Sequence, residues 1–368
     1  MFRLSEARYL CDVPPRRVTF EQALEETAEQ KRHLLLGNGF SIALFPEFRY
    51  GSLLDEANFD AAPHLRQAFD RLGTADFELV IRALLDTATL APFYGGEQYV
   101  QNIRDDADHL KDLLVEAIAG SHPERPSAIS ERQFSHCREF LANFVGVDRG
   151  RLTGQIYTLS YDLLLYWTLL HTDGFGGGVE LSTDDGFRAP QDDPDAPVVV
   201  WDGEEQFSQC IHFLHGGLHL FDRGAELSKI CWQRAGGRPL VDQIREALDV
   251  GRFPLFVAEA TSTHKLDRIR HSAYLHRSLK SFAGICKQTP QALFIFGHAL
   301  HENDQHVLRW IARGKIAKVY VSLFDDPLSD AGLHIIGEVE RWARLRPGRY
   351  PLEVSWFDAR EANPWGAV

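Results

Sequence analysis

The feature that most restricts the fold is a recurring unit. A short apolar run stops at a glycine or a polar cluster, and helix-compatible sequence follows. Leu34, Leu35 and Leu36 stop at Gly37-Asn38-Gly39, and QIYTL runs into Ser160, Tyr161 and Asp162. IHFL runs into His215 before Gly216 and Gly217, and ALFIF stops at Gly297. Runs such as ALFIF show no polar alternation, which fits strands covered on both faces. FPLFVAEA (253–260), KVYVSLF (318–324) and LEVSWF (352–357) also read as strands. Helices are expected in YDLLLYWTLLH (161–171), HSAYLHRSLKSFAGICK (271–287), NDQHVLRWIARG (303–314) and SDAGLHIIGEVERWARL (329–345). Strands alternating with helices of this length predict an α/β fold, a Rossmann-like, doubly wound, mostly parallel sheet.

Residues 1–32 read as a helical lead-in, from the periodicity and acidic first turn of FEQALEETAEQKRH. Residues 33–368 form the α/β domain, with a helical insertion at about 55–145, where apolar residues recur at three- and four-residue spacing. SHPERPSAIS (121–130) is a loop by its Pro and Ser content, and the Gly-, Asp- and Pro-rich stretch 172–205 is a long excursion.

The 368 residues carry 39 Lys and Arg against 52 Asp and Glu, a net charge of −13. That sign repels phosphate backbones, so no direct nucleic-acid binding is expected. The five cysteines, Cys11, Cys137, Cys210, Cys231 and Cys286, are scattered and never spaced C-x-x-C. They point to reduced thiols, and neither to a disulfide framework nor to a cysteine zinc site. No apolar run approaches the ~18 residues of a membrane span, and the N-terminus lacks a signal-peptide core. The expected setting is cytoplasmic, with no membrane contact.

Four strand ends carry the candidate chemistry, since open α/β sheets bind ligands at the carboxyl ends of their strands. At GNGFS (37–41) the glycines let backbone amides approach a pyrophosphate, and Ser41 lies at a helix start. Without a ligand the same residues form a tight strand-to-helix turn. Ser160 and Asp162 stand at a second strand end, where helix capping is the plainer role. His215 ends a third strand and suits a general base near neutral pH. His212, His215 and His219 invite a metal reading. Strand alternation puts His212 and His215 on opposite faces, though, and no cysteine completes a ligand set, so no metal is expected. Gly297, His298 and Asp304 follow the fourth strand, where an ordinary strand-loop-helix junction is the alternative.

In this order the motifs GNGFS (37–41), DFE (76–78), TLSYD (158–162), LHG (214–216) and GHALHEND (297–304) resemble the sirtuin superfamily. Within it they are most similar to the bacterial sirtuin-like NAD hydrolases of anti-phage defence. The resemblance implies NAD as substrate, split into nicotinamide and ADP-ribose. It implies His215, Ser160 and Asp162 as catalytic residues, His215 acting on a ribose hydroxyl or the attacking water and Asp162 on the nicotinamide carboxamide. Gly37, Asn38, Gly39, Phe40, Ser41, Gly297, His298 and Asp304 would hold NAD. Partners implied are NAD or ADP-ribose, and either further copies of the chain or a separate sensor or ATPase. Two departures qualify this. The family's T-x-N-Y-D asparagine is Ser160 here, which leaves a module that binds NAD or ADP-ribose without turnover, or an interaction subunit, as the alternative. The paired C-x-x-C motifs of the deacylating sirtuins are missing, which turns the reading away from deacetylation.

Overall fold

The computed structural model describes residues 15–145, 153–171, 179, 181–203, 208–224, 226–232, 234–259, 261–324 and 326–366. Cys11, the first fourteen residues of the expected lead-in and the TDGFGGG part of the long excursion lie outside them. The strands are β1 (Arg16–Arg17), β2 (Lys31–Leu36), β3 (Ile156–Thr158), β4 (Phe187–Arg188), β5 (Val198–Trp201), β6 (Ile211–Phe213), β7 (Leu220–Asp222), β8 (Leu227–Ile230), β9 (Gln291–Phe296), β10 (Lys318–Leu323) and β11 (Glu353–Asp358). Seven form one sheet in the order β1-β11-β10-β9-β2-β3-β6, and every pairing in it is parallel.

The chain starts the sheet's core at β2, steps outward through β3 to β6, then returns to the other side of β2 and steps outward through β9, β10 and β11. This is the doubly wound order, with its switch point between β2 and β9. β9 is buried along its whole length, as its unbroken apolar run requires. The helices Phe77–Leu90 and Val100–Ser121 are the long members of the expected insertion. Asp76 starts the first of them by accepting hydrogen bonds from the Glu78 and Leu79 amides, an ordinary N-cap. Among the described residues no helix is long and apolar enough to cross a membrane.

Three expectations need correction. FPLFVAEA adds no strand to the sheet. The Leu255 amide donates to Leu220 O, its carbonyl accepts from Gly217 N, and only Phe256 forms an isolated bridge, to Gly216. The segment therefore seals the loop after β6. The excursion at 172–205 and the residues beyond it supply β4, β5, β7 and β8, a four-stranded antiparallel sheet in the order β4-β5-β8-β7. Lys229 on β8 pairs there with Asp185 and lies over the Tyr166 and Phe187 rings. Among its described residues the lead-in is helical only over Phe20–Glu25, where Thr19 and Gln22 close a capping box. It is flanked by β1, and β2 begins at Lys31, two residues before the expected strand.

Buried histidines give the fold a pH dependence. Burial lowers His33, His122 and His306 to about 4 and His212 to about 3. A histidine in the unfolded chain titrates near 6.5, so acid loads protons onto the unfolded state first. Stability is thus full above about pH 6.5 and falls as the pH drops toward about 4. Each such histidine contributes roughly 1.4 kcal/mol per pH unit at most. Urea titrations should give similar stability at about pH 7 and 8 and a steep loss between about pH 6 and 5. A flat profile there would contradict the assignment of these side chains as neutral and buried.

Candidate active site

The site begins with two strands that end level. Leu36 on β2 pairs with Phe296 on β9, so Gly37 and Gly297 emerge side by side. Gly37 N donates to Phe296 O (2.9 Å) and Gly39 N to Gly297 O (2.8 Å). A Cβ on Gly37 would sit 2.4 Å from Gly297 O, and one on Gly39 2.7 Å from Gly297 Cα. Gly297 also has φ +67, which disfavours any side chain. The glycines are therefore explained by a backbone crossing alone. Phe40 N and Ser41 N return to Gly37 O and Asn38 O within the turn, so these amides are engaged too.

Thr158 on β3 and Phe213 on β6 end at the same level as Leu36, which brings Ser160 and His215 to the same rim. A cavity of about 1100 Å³ opens above the crossing. Gly37, Asn38, Gly39, Ser160, Asp162, His215, Gly297, His298 and Asp304 all line it. Of the predicted residues, Phe40 and Ser41 stand behind the wall. Phe40 packs on Trp365, whose indole N–H donates to the Phe40 carbonyl (2.8 Å). Ser41 donates its hydroxyl to Asp162 Oδ2.

Asp162 is fully engaged. Its Oδ2 accepts from both Ser41 and Ser160, and its Oδ1 accepts from Leu164 N (2.8 Å), the first residue of the helix Leu164–Leu170. It ties two strand-end loops together, as a structural carboxylate does. Ser160 stands 3.5 Å from Asn38 Oδ1 across the β2–β3 boundary.

His215 belongs to a buried cluster that sequence reading largely missed. Its Nε2 lies 2.9 Å from His306 Nε2 and 3.8 Å from Asp304 Oδ1. Asp304 Oδ1 also takes the Lys265 ammonium (3.0 Å), and Oδ2 meets His298 Nε2 (3.0 Å). Lys265, only 1% exposed, donates as well to Glu78 Oε2 (2.8 Å). Burial works against the Lys265 charge, but Asp304 and Glu78 outweigh it and hold the ammonium protonated. Burial likewise opposes the Asp304 charge, yet Lys265 and His298 keep that carboxyl well below its usual range. Glu78 is pushed up by burial. His215 is driven well below 6.5, first by burial and then by Lys265, so it is neutral at pH 7. His306 hydrogen-bonds the Asn303 backbone as well as His215. Of the two facing Nε2 atoms one donates and the other accepts, which leaves each ring its Nδ1 for a further partner, and His306 Nδ1 lies 3.5 Å from Ser262 Oγ.

Among the described residues, one group has the composition to hold a metal ion, His215, Asp304 and His306, with ligand atoms within 4.8 Å of one another. Two features weigh against a divalent ion. The two imidazoles already face each other, and Lys265 puts a positive charge on the same carboxylate oxygen. Signals for the missed residues did exist. Lys265 falls on the buried stripe of its helix with Leu266 and Ile269, where a solvated lysine would not sit. Arg49 and Arg360, both exposed, bring positive charge to the cavity lining.

The model of a family described as a domain of unknown function, DUF4917, matches residues 34–365. No curated protein matches the chain.

Lys265→Met should leave two carboxylates buried without their cation and lower stability by about 3–5 kcal/mol, read from urea melts. Adding Glu78→Gln should return part of the loss. Wild-type stability in the single variant would show that the triad is not held as described.

Proposed function

The chain belongs to the DUF4917 family, and we propose that it binds NAD in the β2–β9 cleft and hydrolyses it to nicotinamide and ADP-ribose, in the anti-phage setting that its motifs suggest. The observation that carries this reading is the convergence of Asn38, Ser160 and neutral His215 on one cavity at the switch point of a parallel sheet. The volume, about 1100 Å³, lies slightly above the usual range of small-molecule sites, which runs to roughly 1,000 Å³.

Cleavage of the nicotinamide–ribosyl bond passes through an oxocarbenium-like state with a good leaving group. It needs an oriented ribose, one admitted water and little bulk solvent. In this scheme His215 accepts a proton from a ribose hydroxyl or from the water, with Ser160 and Asn38 beside it. With the Gly37, Gly39, Phe40 and Ser41 amides engaged, Arg49 and Arg360 are the cationic candidates for the pyrophosphate. Asp162 holds Ser160 in place, a positioning role where the family resemblance implied contact with the carboxamide. Ser160 in place of the family's asparagine favours a second reading, a pocket that binds NAD or ADP-ribose without turnover.

Nicotinamide release from NAD tests the first reading, and calorimetric titration with NAD separates the second. His215→Ala should lower the release rate by about 10²–10⁴-fold while the melt shows an intact fold. Unchanged turnover in a folded variant would remove His215 from the mechanism.

Ser160→Asn should raise release by on the order of 10²-fold, because an amide offers both a donor and an acceptor to a water and a ribose hydroxyl. Equal and substantial rates in both proteins would mean that serine positions the water as well as asparagine does.

A further inference from the structure

Three helices pack against one another: Ser262–His271, Ala273–Cys286 and Gln305–Arg313. Their outward cations are Arg268, Arg270, Arg277, Lys280, Arg309 and Arg313, while Lys265 points into the site. Their one carboxylate is Asp267, which pairs with Arg270 (3.1 Å). Arg268 lies within electrostatic reach of Glu259. Arg277, Lys280, Arg309 and Arg313 have no carboxylate partner among the described residues.

Arg270 acts on both Arg309 and His276, so charge from all three helices gathers in one patch with Lys280 and Arg313. Burial and then Arg313 and Arg270 depress the Arg309 guanidinium, and Lys280 and Arg270 act on His276 after burial does. The Arg309 and Lys287 charges stand 5.2 and 5.1 Å from the ring centroid of half-buried Trp310. A chain with net charge −13 thus keeps these three helices almost free of acid. The distant acidic charge weighs little there, since screening acts over about 8 Å at physiological salt.

We infer that this three-helix face docks the phosphate backbone of a nucleic acid without reading its sequence. Arginine predominates, and its planar fork matches phosphate oxygens where lysine offers a point charge. The cations are spread over three helices, which suits successive phosphates better than a single small anion. None of the large exposed apolar side chains belongs to these helices, so the face offers charge rather than an exposed apolar edge.

The test is fluorescence anisotropy with a labelled mixed-sequence DNA duplex and, in parallel, a single-stranded RNA. Binding in the micromolar range is expected at low salt, weakening from about 50 to about 200 mM. The log–log slope on duplex DNA should be roughly −3.6, from about −0.9 for each of the four unpaired cations. The two probes tell which nucleic acid the face prefers. Lys280→Glu with Arg313→Glu, both exposed and remote from the cleft residues, should weaken binding at least about tenfold and flatten the slope, with an unchanged melt. Absence of binding to both probes at about 50 mM overturns the inference. So does binding that the double variant leaves intact, or equal affinity for polyglutamate or for anionic phospholipid vesicles. NAD cleavage is measured separately, so its failure does not bear on this outcome.

Discussion

The structure depends on a backbone contact that only glycine permits. β2 and β9 end in register, so the turns that follow them must cross, and Gly37, Gly39 and Gly297 meet main chain to main chain. A methyl group at Gly37 or Gly39 would push the loops apart and with them the floor of the cavity. The crossing also decides what the cleft can offer a ligand. Amides that a glycine-rich turn often presents to phosphate are spent here on Phe296 O, Gly297 O and the turn itself. Four amides of the turn are thus closed to a phosphate, while Arg49 and Arg360 bring positive charge to the cavity lining.

Above that floor, a buried ion cluster fixes the walls. Glu78 comes from the helical insertion, Lys265 from a helix far along the chain, and Asp304 from the loop after β9. Desolvating three charges is costly, and an apolar replacement of all three need not be less stable. What the cluster supplies is geometry. It locks the insertion to the core as a wall of the cleft and holds Asp304 where it faces both His215 and His298.

How much of this was legible in the sequence follows from how local each signal is. The strand ends at Gly37, Ser160, His215 and Gly297 were legible because an apolar run and its terminating residues are neighbours in the chain. Their meeting at one rim followed from the parallel order. The second sheet was not legible. β4 and β5 are short, half-buried and set in Gly- and Asp-rich sequence, and their pairing with β7 and β8 is a tertiary fact. FPLFVAEA misled because burial by a loop and burial in a strand leave the same apolar run. Asp162 showed both its faces, since helix capping and site contact predict the same residue at the same strand end. Lys265 and His306 were missed because each is one polar residue on an apolar helical stripe, and its partners lie in distant segments.

Burial then sorts which groups are free to react. Asp162 has its oxygens taken by two hydroxyls and an amide, and Lys265 is held between two carboxylates. His215 remains, neutral, with one nitrogen committed to His306. A base weakened by desolvation is a poor match for a reaction that must extract a proton early. It suits one in which the leaving group departs first and the proton is lost late, from a water or hydroxyl already made acidic by positive charge on the sugar. Cleavage of a pyridinium riboside has that order of events. The depressed basicity of His215, which would count against many hydrolytic mechanisms, is therefore consistent with the proposed one, in which Asn38 and Ser160 would position the ribose and its water.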